Sequence, residues 1–343
     1  MKMISRALIG AVAVLGLATS VAAQEVTLRL HQFLPAQANV PKHILDVWAD
    51  RVEADSDGRI KIDRFPSMQL GGTPPQLIDQ AIDGVADIVW TVAGYTPGRF
   101  PQLEVFELPF LSTDAEATSR AFWELAEARM FDTDFADFKP LGLWVHGPGV
   151  IHSNRPVTEV ADLRGLKLRA PSRTTTTLFT QLGATSVGMP VPAVPESLSR
   201  GVIDAAVIPW EVVPALKVEE LVSYHTEFPG NHLYTLAFIM AMNQDAYDAL
   251  PADLQAVIDA NSGLEFSAFA GRVQQEYDAP GRSLAEERGN TIITLNAEQV
   301  VAWREASAPT IDAWIAEADA AGIDGTGLYA DAVTLIAKHA AGN

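Results

Sequence analysis

The chain has 343 residues, with 43 acidic against 24 basic side chains, a formal net charge of −19 and no cysteine. This acidity argues against nucleic acid and anionic membrane surfaces as partners, because both repel a negatively charged protein. The lack of cysteine excludes disulfide bonds, thiolate metal sites and cysteine nucleophiles, so a hydrophobic core must hold the fold together.

The N-terminus has the three parts of a secretory signal peptide. Lys2 and Arg6 give a basic start, residues 7–18 are apolar and uncharged, and Val21-Ala22-Ala23 is a small-residue cleavage site. The apolar run is too short to span a bilayer. We therefore expect residues 1–23 to be removed, and the mature chain to reside in the periplasm without stable membrane insertion.

The first part of the mature chain predicts a strand–helix–strand unit. Apolar residues alternate with polar ones over residues 25–31, take helical spacing over 41–54, and alternate again over 59–63. Units of this kind favour parallel pairing of the two strands, with the helix covering the sheet.

Two later segments resemble each other. Residues 81–90 and 198–210 each run from a helix end through glycine and an apolar strand to a tryptophan, Trp90 and Trp210. The repetition favours two similar α/β lobes. Because ligands of open α/β sheets bind beyond the carboxyl ends of strands, we expect a cleft between the lobes, with both indoles in its wall.

Residues 161–171 predict a turn, a short strand and an arginine at the end of that strand. Gly165 permits the turn. Leu166 and Leu168 alternate with Lys167 and Arg169, and the strand should stop at Pro171. An arginine at this place can receive a carboxylate with its two-pronged guanidinium group.

The C-terminal third is predicted to be mostly helical. A helical stripe of apolar residues from Leu250 to Tyr277 predicts one helix long enough to bridge two lobes, at 1.5 Å per residue. Further helices are predicted at 299–320, with a kink near Pro309, and at 331–341.

Several motifs, in order along the chain, resemble those of the solute-binding proteins of tripartite ATP-independent periplasmic (TRAP) transporters, of the DctP type. The matching segments are Ser56-Asp57-Gly58-Arg59-Ile60, Gln69-Leu70-Gly71, Val105-Phe106-Glu107-Leu108-Pro109-Phe110, Gly165-Leu166-Lys167-Leu168-Arg169, Gly201-Val202-Ile203-Asp204 and Ala249-Leu250-Pro251. They span nearly the whole mature chain, and they are specific only in combination.

The resemblance implies an α/β periplasmic binding protein with two lobes, a long inter-lobe helix and a ligand cleft between the lobes. We expect lobe I to comprise residues 24–146 and about 234–274, and lobe II to comprise 147–233 and about 275–343. The protein would capture an organic acid anion and deliver it to TRAP permease subunits driven by an ion gradient. Arg169 matches the family's arginine that pairs with the ligand carboxylate.

Departures from a sialic-acid-binding branch of the family indicate the type of ligand. That branch has a second arginine where this chain has Gly149, an amide where it has Ile208, and an acid near Val92. The cleft has thus lost polar groups and gained apolar wall, which favours an aromatic or otherwise hydrophobic monocarboxylate, such as a benzoate-like acid, over a sugar acid or a dicarboxylate.

Beyond Arg169, Trp90 and Trp210, we expect seven further residues to contact the ligand, because they lie in loops beside strand ends or match polar positions before a return strand. They are His31, Phe33, Tyr95, Ser172, Met189, Ile208 and His232. No catalytic, nucleotide-binding or metal-binding motif is present, so we expect no enzyme activity, no cofactor and no metal. Two alternatives stay open: a periplasmic sensor module for a membrane receptor, and, less favoured, a periplasmic enzyme acting on organic acids.

Overall fold

The computed structural model describes residues 24–342, so the predicted signal peptide lies outside the described residues. Its strands are β1 (Val26–His31), β2 (Ile60–Phe65), β3 (Ile88–Val92), β4 (Phe138–Val145), β5 (Gly149–Ser153), β6 (Lys167–Ala170), β7 (Thr185–Gly188), β8 (Ala205–Pro209), β9 (Tyr224–Glu227), β10 (Ala237–Asn243) and β11 (Thr291–Thr294).

The α-helices are α1 (Asp46–Asp55), α2 (Leu77–Ile82), α3 (Ala115–Arg129), α4 (Arg173–Gln181), α5 (Val194–Ser199), α6 (Val213–Leu216), α7 (Gln244–Asp248), α8 (Ala252–Ala260), α9 (Leu264–Glu276), α10 (Asp278–Glu287), α11 (Ala297–Ala320) and α12 (Gly325–Ala340). A π-helical turn, Pro41–Leu45, leads into α1 and completes the first predicted helix. Within residues 24–342, none of the helices combines the length and apolar character needed to cross a bilayer.

The strands form two sheets with the same internal order. The first sheet is β2-β1-β3-β10-β4, and the second is β7-β6-β8-β5-β9 with β11 added at its edge. In each sheet three parallel strands come first, followed by an antiparallel strand, β10 or β5. The predicted two-lobed α/β architecture is confirmed, and the repeated tryptophan segments correspond to the equivalent strands β3 and β8.

The strand that carries Arg169 forms as its sequence predicts. Gly165 has a φ of +71°, a left-handed conformation that favours glycine. Leu166 and Leu168 are buried while Lys167 is exposed, and β6 ends at Ala170, directly before Pro171. Arg169 is buried as well, although it alternates with the buried leucines.

Three connections join the two sheets, at residues 146–148, at 228–236 and between α9 and α10. Helix α9 packs on α3 and β4, whereas α10 packs on β11 and on the turn that follows β8. The α9–α10 segment thus provides the predicted bridge. The expectation of one continuous helix from Leu250 is wrong, since residues 261–263 form a turn in which Gly263 has a φ of +88°.

The last helix lies on the other lobe from the one expected. Helix α12 packs on α3, and it is tied there by ion pairs such as Lys338–Glu124. Residues 325–340 therefore belong with the first sheet, because their buried stripe of Leu328, Ala332 and Ile336 needs the apolar face of α3. The rest of the predicted division into lobes stays a prediction.

Candidate functional site

A cavity lies between the two sheets. Its lining comes from both lobes and from the connections between them, and it is mostly apolar with a few polar groups, as is typical of small-molecule sites. The lining residues are Phe33, Leu34, Trp90, Val92, Tyr95, His146, Arg169, Val191, Ile208, Pro209, Glu211, Val212, Tyr234, Leu236, Phe238 and Gln274.

Arg169 supplies the positive charge of this cavity. The side chain is 1% exposed, and its guanidinium group donates from Nε to the Met189 carbonyl at 2.9 Å and from Nη1 to the Val207 carbonyl at 2.9 Å. Nη2 has no acceptor within hydrogen-bond distance in the described part of the chain, and the titratable groups that affect the pKa of Arg169 are tyrosines rather than carboxylates. Burial lowers the pKa of Arg169, but an arginine keeps its charge at neutral pH.

Two tyrosine hydroxyls lie close to this charge. Tyr95 accepts a hydrogen bond from the Val191 backbone N–H at 2.9 Å, which leaves its own proton for another acceptor. The Tyr234 hydroxyl is buried without a partner among residues 24–342. Burial raises both tyrosine pKa values, and the charge of Arg169 opposes the rise. Both hydroxyls are therefore protonated donors.

His146 is a neutral member of the same group. Its Nδ1 lies 2.5 Å from the Gly147 carbonyl, so this nitrogen carries the proton and Nε2 is an acceptor. Burial lowers the pKa of His146 to about 3, with a smaller contribution from Arg169. Arg169 is thus the charged group at this end of the cavity.

Aromatic rings form one wall. Trp90 stacks on Phe33 with ring centres 4.6 Å apart and an interplanar angle of 15°, and on Phe238 at 5.4 Å and 21°. Val92 and Ile208 add aliphatic surface. A planar apolar group enclosed here would meet aromatic faces and edges, which favours another ring over a hydroxylated chain.

Glu211 and Gln274 form a second polar group that sequence reasoning missed. Gln274 donates to Glu211 Oε1 at 2.9 Å and accepts from the Trp144 indole at 2.8 Å. Burial raises the pKa of Glu211 to about 7, and the amides of Gln274 and Asn39 oppose the rise. The position of Glu211, two residues after the end of β8, was the available signal.

The cavity brings together five of the ten predicted ligand contacts: Arg169, Trp90, Phe33, Tyr95 and Ile208. The other five lie outside its lining. Trp210 is turned the other way, onto the rings of His152 and His225 with ring centres 4.9 and 4.8 Å away, and its Nε1 donates to Glu227 at 2.9 Å.

The remaining four have structural environments of their own. His31 bonds through Nδ1 to Gln80 at 2.7 Å, and Ser172 caps the N-terminus of α4. Met189 offers its carbonyl to Arg169 while its side chain borders a separate outer pocket. His232 lines a neighbouring cleft together with Trp210.

Gly149 is glycine because Tyr234 fills the adjoining space. A Cβ atom at position 149 would come within 1.9 Å of Tyr234 Cε1. A longer side chain there would require the tyrosine ring to move. The sialic-acid-binding branch has an arginine at the position of Gly149. In this chain the neutral ring of Tyr234 occupies the adjoining space instead.

The two lobes touch around the cavity. The Tyr95–Val191 hydrogen bond joins them, and Arg173 on α4 forms ion pairs with Glu104 of the first lobe and with Glu317 on α11. Glu107 of the first lobe is fully enclosed beside Ser172 of the second, and burial raises its pKa to about 8.

Residues 32–318 match the family described as bacterial extracellular solute-binding protein, family 7 (DctP). A TRAP solute-binding protein from Rhodoferax ferrireducens, in complex with copurified benzoate, is 50% identical with a TM-score of 0.90, covering 92% of this chain and 98% of its own. A marine metagenome protein specific for aromatic acids, in complex with 3-hydroxybenzoate, is 44% identical with a TM-score of 0.90. The match covers 92% of this chain and 99% of that protein. The C4-dicarboxylate-binding periplasmic protein DctP of Rhodobacter capsulatus is 25% identical. This match covers 77% of this chain and 79% of that protein.

Arg173→Ala should favour separation of the lobes. The substitution removes the partly exposed pair with Glu104, so we expect the closed form to lose about 1 kcal/mol or less and the open fraction to rise up to about fivefold. Small-angle scattering would record a larger radius of gyration. Arg200→Ala, which removes the exposed Arg200–Glu196 pair within one lobe, is the control. Identical scattering from both variants would contradict the role of Arg173.

Glu107→Gln should change how stability depends on pH. Since the folded pKa is about 8 against an ordinary value of 4.5, the neutral carboxyl stabilises the fold fully below pH 4.5, and this stability is lost as pH rises through 8. Relative to wild type, the variant should gain unfolding free energy over that range, up to about 5 kcal/mol. Chemical denaturation at several pH values measures this.

The control for that experiment is Glu127→Gln, which changes an exposed carboxyl on α3. Its unfolding free energy should follow that of wild type at every pH. A Glu107→Gln curve that also runs parallel to wild type would show that Glu107 is not neutral in the folded protein.

Proposed function

The chain belongs to family 7 of the bacterial extracellular solute-binding proteins, the DctP proteins of TRAP transporters, and we propose that it captures an aromatic monocarboxylate in the cavity around Arg169. The observation that carries the proposal is the guanidinium group of Arg169, which is buried and has no carboxylate partner among the described residues. A buried charge without an opposite charge is costly, so the site favours an anion.

The placement of donors supports a carboxylate as that anion. Nη2 of Arg169 and the hydroxyl of Tyr234 have no partner in the described chain, and Tyr95 has a proton to donate. A carboxylate has two oxygens and about four acceptor positions, which these donors could satisfy together. A single carboxylate also suffices, because Arg169 is the only lysine or arginine among the described lining residues.

The apolar wall supports an aromatic body for the ligand. The stacked rings of Phe33, Trp90 and Phe238 match a flat ring in shape and polarity. The two similar structures with the highest identities given above carry benzoate and 3-hydroxybenzoate, which agrees with this proposal. A sugar acid would need more hydrogen-bonding groups than this wall offers.

We further propose that the ligand leaves the protein unchanged, in the periplasm, by transfer to the TRAP permease subunits. Serine, threonine and lysine are missing from the described lining, so the hydroxyl and amine nucleophiles common in hydrolases and Schiff-base enzymes have no counterpart there. Family membership supports the permease as the partner.

Arg169→Ala should weaken binding of benzoate about 30-fold or more, because the ligand carboxylate would be buried without its counter-charge. Arg169→Lys keeps a charge but not the two-pronged geometry, so an intermediate loss is expected. Titration calorimetry measures both, with the exposed Arg200→Ala as control and thermal melting as the check on folding. Unchanged affinity in folded Arg169→Ala would refute the proposal.

A further inference from the structure

Glu211 and Gln274 place a second polar group in the mostly apolar lining of the cavity. Both Glu211 and Gln274 line the cavity, and the Gln274 amide donates to Glu211 Oε1 at 2.9 Å. Glu211 Oε2 has no partner within hydrogen-bond distance among residues 24–342, although the nearby Asn39 amide does affect the pKa of this carboxyl. A buried carboxyl oxygen without a hydrogen bond is costly. An unsubstituted aromatic ring of a ligand could not hydrogen-bond to this oxygen, so the free-energy penalty of burying it would remain.

Glu211 and Arg169 line the same cavity, and both come from the second lobe. Burial raises the pKa of Glu211 and the amides of Gln274 and Asn39 oppose the rise, whereas Arg169 is not among the groups that shift it. Along β8 the Val207 carbonyl holds Arg169, and Glu211 follows four residues later, at most roughly 13 Å away along an extended chain. One aromatic acid could therefore touch both groups.

The position of Glu211 is fixed by its surroundings. Its backbone N–H donates to Asp278 Oδ1 at 2.9 Å, and Gly281 packs so closely that a Cβ atom there would lie 2.1 Å from the Trp210 carbonyl. Trp144 in turn holds Gln274 through its indole N–H. This support is typical of a group whose direction matters for recognition.

We propose that Glu211, oriented by Gln274, binds a hydroxyl group on the ring of the ligand, so that the preferred solute is a hydroxy-substituted aromatic monocarboxylate. The inference rests on the proposed function, since it assumes that Arg169 holds the carboxylate. A hydroxyl suits this place because it can donate to a carboxylate and accept from a carboxylic acid. Glu211, with a pKa of about 7 next to Asp278, presents both forms near neutral pH.

The first test compares ligands on the wild-type protein. Calorimetry with benzoate, 3-hydroxybenzoate, 4-hydroxybenzoate and 3-methylbenzoate should give at least one hydroxy acid that binds about 10- to 100-fold more tightly than benzoate. The methyl compound, which is similar in size to its hydroxy counterpart but cannot hydrogen-bond, should show no such gain. This comparison needs no variant and so does not depend on whether a variant folds.

The second test removes the carboxyl group. Glu211→Leu should reduce the preference for the hydroxy acid to about threefold or less while benzoate still binds, and Glu211→Gln should retain part of the preference. Glu107→Gln, which changes another buried carboxyl that lies outside the cavity lining, should leave the ratio of the two affinities as in wild type.

The outcomes separate the two proposals. If benzoate and the hydroxy acids all fail to bind, the proposed function is wrong. If they bind with equal affinity, or if benzoate binds best, the aromatic-acid function stands and the role of Glu211 is wrong. A preference for the hydroxy acid that persists unchanged in folded Glu211→Leu would likewise overturn the assignment to Glu211.

Discussion

The guanidinium group of Arg169 is buried in an apolar interior, where two backbone carbonyls but no carboxylate receive it. Carbonyl groups fix its direction without cancelling its charge. The free energy of this arrangement therefore improves when an anion enters, because two opposite charges attract each other more strongly in an apolar interior than in water. The short strand β6, the glycine turn before it and the loop that presents Met189 all serve to hold this one group in place.

The topology explains why the cavity exists only when both lobes meet. His146 and Tyr234 lie on two of the connections between the sheets, and Gln274 lies on the bridging helix α9. Arg169 on β6 and Glu211 on the turn after β8 come from the second lobe, and Trp90 on β3 comes from the first. A ligand that contacts all of them stabilises the closed arrangement relative to an open one, which is the usual basis of hinge closure in binding proteins.

An acidic protein can bind an anion because its surface and its interior differ in charge. The net charge of −19 derives mainly from exposed side chains, whose fields are weakened by water and salt. The buried acids Glu107, Glu211 and Asp278 have raised pKa values, so burial favours their neutral forms. Local geometry, rather than total charge, thus decides the sign of the ligand.

The sequence by itself determined the strand ending in Arg169, the repeated segments around β3 and β8, and the apolar character near Val92 and Ile208, because alternation and glycine turns are local properties of the chain. Tertiary structure alone decided which neighbouring side chain faces the cavity. After β8 the backbone turns, so Trp210 packs on two histidines while Glu211 lines the cavity. Tyr234 and Gln274 carry no pattern that marks them, since their role depends on packing between segments far apart in the chain.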